Sequence, residues 1–103
     1  MDTEKELARL FKALSDPTRL KLVRLLVDQG EDGALCVGAL AHALGVSQSA
    51  VSQHLAVLRA VGLVSDERRG YFVHYQVNRA KLVEGVDTWR ALLLDSPIRS
   101  SVD

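Results

Sequence analysis

The 103-residue chain is short of several residue types, and each shortage excludes a class of protein. It has one cysteine, Cys36, which excludes a framework of intrachain disulfides. It has no apolar run long enough to cross a membrane and no signal-peptide pattern, so we expect a cytoplasmic protein without a membrane partner. Its formal net charge is +0, which gives no overall electrostatic preference for nucleic acid.

Catalytic and metal-binding patterns are equally scarce. The chain has no glycine-rich phosphate loop, no Cys/His or Ser/His/Asp constellation at a plausible spacing, and no paired carboxylates in an apolar setting. Its three histidines, His42, His54 and His74, form no His-x3-His pair, and His74 is expected on the surface of a strand. We therefore expect neither an enzyme nor a chain that holds a cofactor or a metal ion. Hydrophobic residues are abundant, at 48%, which is enough for the core of one domain over residues 1–103.

The spacing of glycine, serine and aliphatic residues in the middle of the chain predicts two short helices joined by a tight turn. Gly45 follows the last apolar residue of the first helix and suits the left-handed conformation that closes a helix. Ser47 stands where the second helix needs an N-cap. The second helix carries Val51, Leu55 and Leu58 at i, i+4 and i+7, so these three side chains should face the core. Helix, short turn and helix is the helix-turn-helix pattern.

The opposite side of the second helix is small, polar and free of acidic residues. Serine and glutamine can hydrogen-bond to base edges in the major groove of DNA. An ordinary amphipathic surface helix is the alternative, but such helices favour glutamate and lysine, which are better helix formers than serine. We therefore predict a DNA-recognition helix. Its predicted contacts are Ser47, Gln48, Ser49, Ser52 and Gln53, with His54 at the edge of the core face as a packing or phosphate-contacting residue.

A β-hairpin is predicted directly after this helix. Two runs rich in β-branched and aromatic residues, 63–65 and 71–77, flank the polar segment 66–70, which ends in glycine. A hairpin in this position is a wing, and Arg68, Arg69 and Tyr71 at its tip would contact phosphates or the minor groove. The alternative is a solvated loop whose acidic residues, Asp66 and Glu67, neutralise the arginines.

Three further helices are predicted from capping signals. Thr3 and Glu6 match a capping box at the start of the first helix. Asp16 caps the second helix, with Pro17 at its first position, and Asn78 caps the last one.

The first and last helices are more apolar than a small core requires. This excess predicts a two-fold dimer interface, while the alternative is that both helices pack on the core of one chain. The predicted interface residues are Leu7, Leu10, Phe11, Leu82, Val86, Trp89 and Leu93.

Several segments, in this order and spacing, closely resemble the ArsR/SmtB-type bacterial repressors over nearly the whole chain. The segments are ALSDPTRL at Ala13–Leu20, LCV at Leu35–Val37, SQSAVSQHL at Ser47–Leu55, GLV at Gly62–Val64 and RRG at Arg68–Gly70. The resemblance implies a homodimer that binds double-stranded operator DNA and represses, with an inducer, often a metal ion, that weakens DNA binding.

The fold that we expect is mainly α with a β-hairpin: a winged helix-turn-helix of five helices and a two-stranded wing, paired as a two-fold homodimer. Its parts are the helix-turn-helix at about 37–61, the wing at about 63–77, the dimerisation helices at about 3–14 and 79–95, a loop at 31–34, a short extended or helix-starting segment at 35–37 and a frayed tail at 100–103.

The chain departs from the family's pattern at both common metal sites. The family's thiol site uses a Cys-Val-Cys triplet, whereas this chain has Cys36-Val37-Gly38. By alignment, the Asp, His, His and Glu ligands of the other site are replaced by Arg79, Lys81, Leu92 and Asp95. We therefore expect an inducer that is not bound at these sites and that the sequence does not identify.

A second function stays open at this point. The dimer would then be a sensor or adaptor for a small molecule or protein, with Trp89 near a pocket between the first and last helices, or a thiol-redox sensor in which Cys36 acts as the switch.

Overall fold

A computed structural model describes residues 2–29 and 35–95, which form five helices and a three-stranded antiparallel sheet. The predicted loop at 31–34 and the tail at 100–103 lie outside the described residues. The elements are α1 (Thr3–Leu14), α2 (Pro17–Gln29), β1 (Leu35–Cys36), α3 (Val37–Leu44), α4 (Gln48–Ala60), β2 (Val64–Arg69), β3 (Phe72–Val77) and α5 (Arg79–Leu93). Within the described part of the chain, no helix has the length and apolarity that a membrane crossing requires.

The helix starts follow local capping chemistry. Asp16 Oδ2 accepts the Thr18 N–H at 2.9 Å, and Asn78 Oδ1 accepts the Lys81 N–H at 3.1 Å, so both predicted caps are confirmed. The predicted capping box at Thr3 is wrong by one residue. The N-cap is Asp2, whose carboxylate accepts the N–H groups of the second and third helical residues at 3.0 and 3.4 Å. A carboxylate at the N-cap also complements the positive end of the helix.

The core lies where α2, α3 and α4 meet the base of the wing. The aliphatic side chains of α4, Val51, Leu55 and Leu58, are all fully buried, as the helical spacing predicted. Their burial fixes the rotation of α4 about its axis, because turning the helix would expose all three. The other fully buried side chains are Leu22, Leu26, Leu40 and Leu63.

The wing is a longer and tighter hairpin than the sequence predicted. Strands β2 and β3 pair from Val64 opposite Val77 to Arg69 opposite Phe72, which leaves a two-residue turn. Gly70 supplies the positive φ of +64° that a tight hairpin turn requires. The prediction of a polar turn over 66–70 is therefore wrong, because one glycine suffices for the turn and the preceding polar residues extend the strand.

A third strand covers the other edge of β3. Leu35 pairs with Tyr75 and Cys36 with His74, so the predicted two-stranded wing is part of a three-stranded sheet. The predicted surface position of His74 is wrong for the same reason, since its Nδ1 is buried and has no hydrogen-bond partner among the described residues.

Candidate nucleic-acid interface

The turn between α3 and α4 is built as the sequence predicted. Gly45 adopts a φ of +69°, and its N–H donates to the carbonyl of Ala41 at 2.9 Å. Ser47 Oγ accepts the N–H of Ala50 at 3.0 Å and so caps α4. These bonds satisfy backbone groups at both helix ends and fix the direction in which α4 leaves the turn.

The polar side of α4 faces away from the core. All five predicted contact residues on this side are exposed, and no acidic residue lies in the first turn of the helix. The positive end of the helix dipole therefore points outward without a carboxylate to neutralise it, which favours an anionic partner. The exposed residues are Ser47, Gln48, Ser49, Ser52 and Gln53.

Gln48 lies at the edge of this surface, beside the start of α3. Its Nε2 is 3.6 Å from the position that a Cβ at Gly38 would occupy. The same glutamine lines a groove of about 230 Å³ together with Tyr71 and Phe72 of the wing. The fold thus brings the first residue of the recognition helix and the wing tip to one cleft.

The wing tip carries two exposed aromatic rings. Tyr71 is 96% exposed and Phe72 is 62% exposed. The sequence predicted a role for Tyr71 but not for Phe72. The alternation of side chains along the strand would have placed Phe72 on the exposed face only if the exact turn residues had been known. A flat apolar side chain in this position can pack on sugar rings or on a groove floor.

The charges of the wing are only partly neutralised within the chain. Asp66 pairs with Arg59 of α4 at 3.2 Å rather than with a wing arginine, and Glu67 lies 3.7 Å from Arg69. Among the described residues, no carboxylate is within ion-pair distance of Arg68. The alternative of a self-neutralised loop therefore applies to Arg69 and not to Arg68.

His54 points sideways from α4 toward the junction of α1 and α2. Its side chain is 24% exposed, and its Nδ1 lies 3.3 Å from Arg19 Nη1 and 3.9 Å from Asp16 Oδ2. Hydrogen bonds from the backbone N–H of Arg19, with smaller contributions from Thr18 and His54, hold the pKa of Asp16 below its ordinary value. The sequence identified His54 but missed Arg19, since nothing local indicates a partner 35 residues away.

The predicted dimer residues divide into two sets. Leu7 and Leu10 lie in the core of the single chain, and Leu82 is half-buried. Val86, Trp89 and Leu93 of α5 are exposed by 54%, 38% and 55%, and Phe11 of α1 is exposed beside them. Within α5, only Gly85 is buried.

The predicted sensor sites have a less definite geometry. Cys36 is a free, half-buried cysteine at the N-cap position of α3. Its side chain makes no capping hydrogen bond. An open groove of about 330 Å³ runs between α1 and α5, lined by Glu4, Leu7, Ala8, Phe11, Leu92 and Leu93. Trp89 is not among the lining residues of this groove.

The positions of the family's usual metal ligands have other roles here. Arg79 donates a hydrogen bond to the carbonyl of Val27 and so joins α5 to α2. The side chain of Lys81 lies beside Gly62 at the end of α4. In the ranges 2–29 and 35–95, no group of three or more His, Cys, Asp or Glu side chains is arranged to hold a metal ion.

Comparisons with known proteins agree with this geometry. The family model described as bacterial regulatory protein, arsR family, matches residues 16–66. The chain is 43% identical over 91 residues to the arsenical resistance operon repressor of Escherichia coli K12, an alignment that covers 88% of this chain and 71% of that protein.

Solved structures show the same fold. An ArsR-like transcriptional regulator from Rhodococcus sp. RHA1 has a TM-score of 0.79 and 32% identity, covering 96% of this chain and 90% of that one. The homodimeric winged helix-turn-helix DNA-binding domain of a possible ArsR-family regulator from Mycobacterium bovis has a TM-score of 0.66 and 29% identity, covering 85% and 82%.

Proposed function

The chain belongs to the arsR family of bacterial regulatory proteins, and from this premise we propose that it is a homodimeric repressor that places α4 in the major groove of operator DNA. Its family members are transcriptional regulators and not enzymes. We further propose which residues contact DNA, how two chains pair and where the inducer acts.

One observation carries the proposal: the outward side of α4 is exposed, polar and uncharged, and it lies at the positive end of the helix. Gln53 and Ser52 are positioned to read base edges, since glutamine pairs with adenine in two hydrogen bonds and serine accepts several partners. Ser47 and Ser49 are suited to phosphates because they are exposed at the positive end of the helix.

The wing supplies the second part of the proposed interface. Arg68 and Arg69 would contact the phosphate backbone, and Tyr71 would follow the groove beside them. The ion pair between Arg59 and Asp66 joins α4 to β2, so the helix and the wing would approach DNA as one unit.

A dimer would bury the exposed apolar side of α5. Val86, Trp89 and Leu93 recur at helical spacing on a helix that one chain leaves largely uncovered. Two copies paired about a two-fold axis would present two recognition helices to neighbouring turns of a palindromic operator. We propose that the inducer acts away from the family's usual metal positions, because Arg79, Lys81 and Leu92 cannot ligate a cation.

The test is selection of operator sequences from a random duplex pool, followed by fluorescence anisotropy on the enriched site. We expect an inverted repeat whose half-sites lie about one helical turn apart, roughly 10 base pairs. The double variant Ser52→Ala/Gln53→Ala should lose the site, whereas Gln29→Ala, an exposed glutamine at the end of α2, should bind as the parent does. A folded protein that enriches no sequence at low salt would contradict the proposal, and ligand screening by Trp89 fluorescence would then test the sensor or adaptor alternative.

A further inference from the structure

We infer that Arg19 is a positioning residue for DNA recognition, which holds α4 against the end of α1 by donating a hydrogen bond to His54. This inference deepens the proposed function and rests on it. Arg19 itself does not contact DNA in this proposal.

Arg19 joins three elements through three different nitrogens. Its Nε donates to the carbonyl of Ala13, and its Nη2 donates to the carbonyl of Lys12 at 3.4 Å. Both carbonyls belong to the last turn of α1. The carbonyl of Lys12 also accepts the backbone N–H and the side-chain hydroxyl of Ser15. The remaining nitrogen, Nη1, faces His54 on α4.

The direction of the contact with His54 follows from the chemistry of arginine. A guanidinium group stays protonated and has no acceptor, so at 3.3 Å the Nδ1 of His54 must be the acceptor. This hydrogen bond requires the tautomer of His54 that carries its proton on Nε2. Asp16 Oδ2 lies farther from the same nitrogen, at 3.9 Å, and already accepts two backbone N–H groups.

The contact between Arg19 and His54 lies where it controls the orientation of α4. Three buried aliphatic residues fix α4 toward the core, but apolar contacts are not directional and leave the tilt of a helix poorly defined. A planar guanidinium with partners on α1 and α4 adds a directional restraint. Since α1 borders the apolar side of α5, the same contact links the recognition helix to the proposed dimer face.

Two variants break the contact from its two sides, and Arg19→Gln also removes the hydrogen bonds of Arg19 to the end of α1. Arg19→Gln removes the charged donor, and His54→Leu removes the acceptor. His54→Asn places an amide oxygen near the position of Nδ1, so it should restore most of the affinity that His54→Leu loses. We expect Arg19→Gln and His54→Leu each to weaken binding to the selected operator by roughly 10-fold, the scale of one charge-assisted hydrogen bond.

The double variant separates positioning from direct contact. If Arg19 acts through His54, then adding His54→Leu to Arg19→Gln weakens binding no further than Arg19→Gln alone, because the contact with His54 is already lost in that variant. Losses that multiply would overturn the inference. The salt dependence gives a second readout: removing a phosphate contact lowers the slope of log K against log salt by about 0.9, whereas a positioning residue leaves it unchanged. A lower slope for Arg19→Gln would assign that residue to the DNA backbone and overturn the inference.

Nuclear magnetic resonance of the free protein tests the contact without DNA. The ¹⁵N shift of His54 Nδ1 should be that of an unprotonated, hydrogen-bonded nitrogen at neutral pH, and Arg19→Gln should move it together with amide signals of α4. A protonated Nδ1 in the parent protein, or an unchanged α4 spectrum in the variant, would overturn the inference. A parent protein that binds no duplex would contradict the proposed function, and these spectra would still decide separately whether Arg19 holds α4 through His54.

Discussion

At the scale of single residues, the proposed interface depends on a few side chains with definite hydrogen-bonding roles. Gln53 is the clearest example, since it is exposed on the polar side of α4. Replacing Gln53 with alanine should reduce discrimination at one base pair by about 1–3 kcal/mol. Anisotropy on the operator and on duplexes that carry each of the three alternative base pairs at every half-site position would measure this.

The control for Gln53→Ala is Gln29→Ala, which removes an exposed glutamine at the far end of α2. An operator preference that Gln53→Ala leaves unchanged at every position would remove this residue from base recognition.

Asp16 gives a prediction for pH dependence. Its carboxylate accepts two backbone N–H groups, which lowers its pKa in the folded chain. A lowered folded-state pKa stabilises the fold above the unfolded pKa, about 3.9, and this contribution disappears as pH falls through the folded value. The parent should therefore exceed Asp16→Asn in free energy of unfolding at pH 7 and lose that advantage in strong acid.

Urea unfolding of both proteins across this pH range would measure the difference. Asparagine is a matched replacement because it can cap α2 without a charge. An advantage of the parent that stays constant down to pH 2 would contradict the assignment.

Much of the residue-scale chemistry could be predicted from the sequence, because it is local. Caps such as Ser47 and Asn78 depend on neighbours three positions away and were identified correctly. Asp2 was missed because Thr3 matched a stronger pattern. The contact between Arg19 and His54 could not be predicted, since it requires the packing of α1, α2 and α4.

At the scale of elements, the wing is the part whose charge can be altered without disturbing the core. Glu67 lies beside Arg69 on an exposed strand. Glu67→Gln should raise operator affinity by roughly 2- to 5-fold, the scale of an exposed charge interaction of up to about 1 kcal/mol. The substitution removes a negative charge near DNA and releases Arg69 from its ion pair with Glu67.

The matched control is Glu84→Gln on α5, which makes the same change in net charge away from the wing. Equal effects of the two variants would mean that only the total charge matters, and the wing would lose its assigned role.

Helices α1 and α5 approach each other closely at Gly85. A Cβ at Gly85 would collide with the Cδ2 of Leu10, which is buried. Overpacking costs about 1–3 kcal/mol, and the better helix propensity of alanine returns only about 1 kcal/mol. Gly85→Ala should therefore lower the free energy of unfolding by about 1 kcal/mol.

Leu10→Ala provides the test of this cause. With the leucine removed, Gly85→Ala should become stabilising, because only the propensity effect remains. Chemical unfolding measures the effect of Gly85→Ala in the parent and in Leu10→Ala. If the free energy of unfolding falls equally in both, the two helices do not meet at this point.

Element types were predicted better than element partners. The five helices follow from periodicity and caps, and the hairpin follows from β-prone runs. The turn was misplaced because polar residues such as Asp66 are typical of turns, although here they extend an exposed strand. The segment 35–37 was predicted to be either extended or the start of a helix, because two residues carry no periodicity, and only pairing with β3 makes Leu35 and Cys36 a strand.

At the scale of the whole molecule, the exposed apolar side of α5 is the face through which we propose that two chains pair. Val86→Asp/Leu93→Asp should yield a folded monomer by sedimentation, since a buried unpaired charge opposes association. Operator affinity should then fall by on the order of 100-fold, because each half-site is bound alone.

Leu20→Asp is the control for this double variant. Leu20 is 52% exposed on α2, which is outside the proposed dimer face, and its replacement should leave both the assembly and DNA binding unchanged. A double variant that sediments as the parent does would place the dimer contact elsewhere.

The exposed apolar side of α5 has a further consequence for how a cell would use such a regulator. If α5 is covered only when two chains meet, the amount of DNA-binding species rises with the square of the chain concentration while chains are scarce. A modest change in synthesis or degradation would then be amplified at the promoter, with no ligand involved. Copy number would itself be a signal that this protein reads.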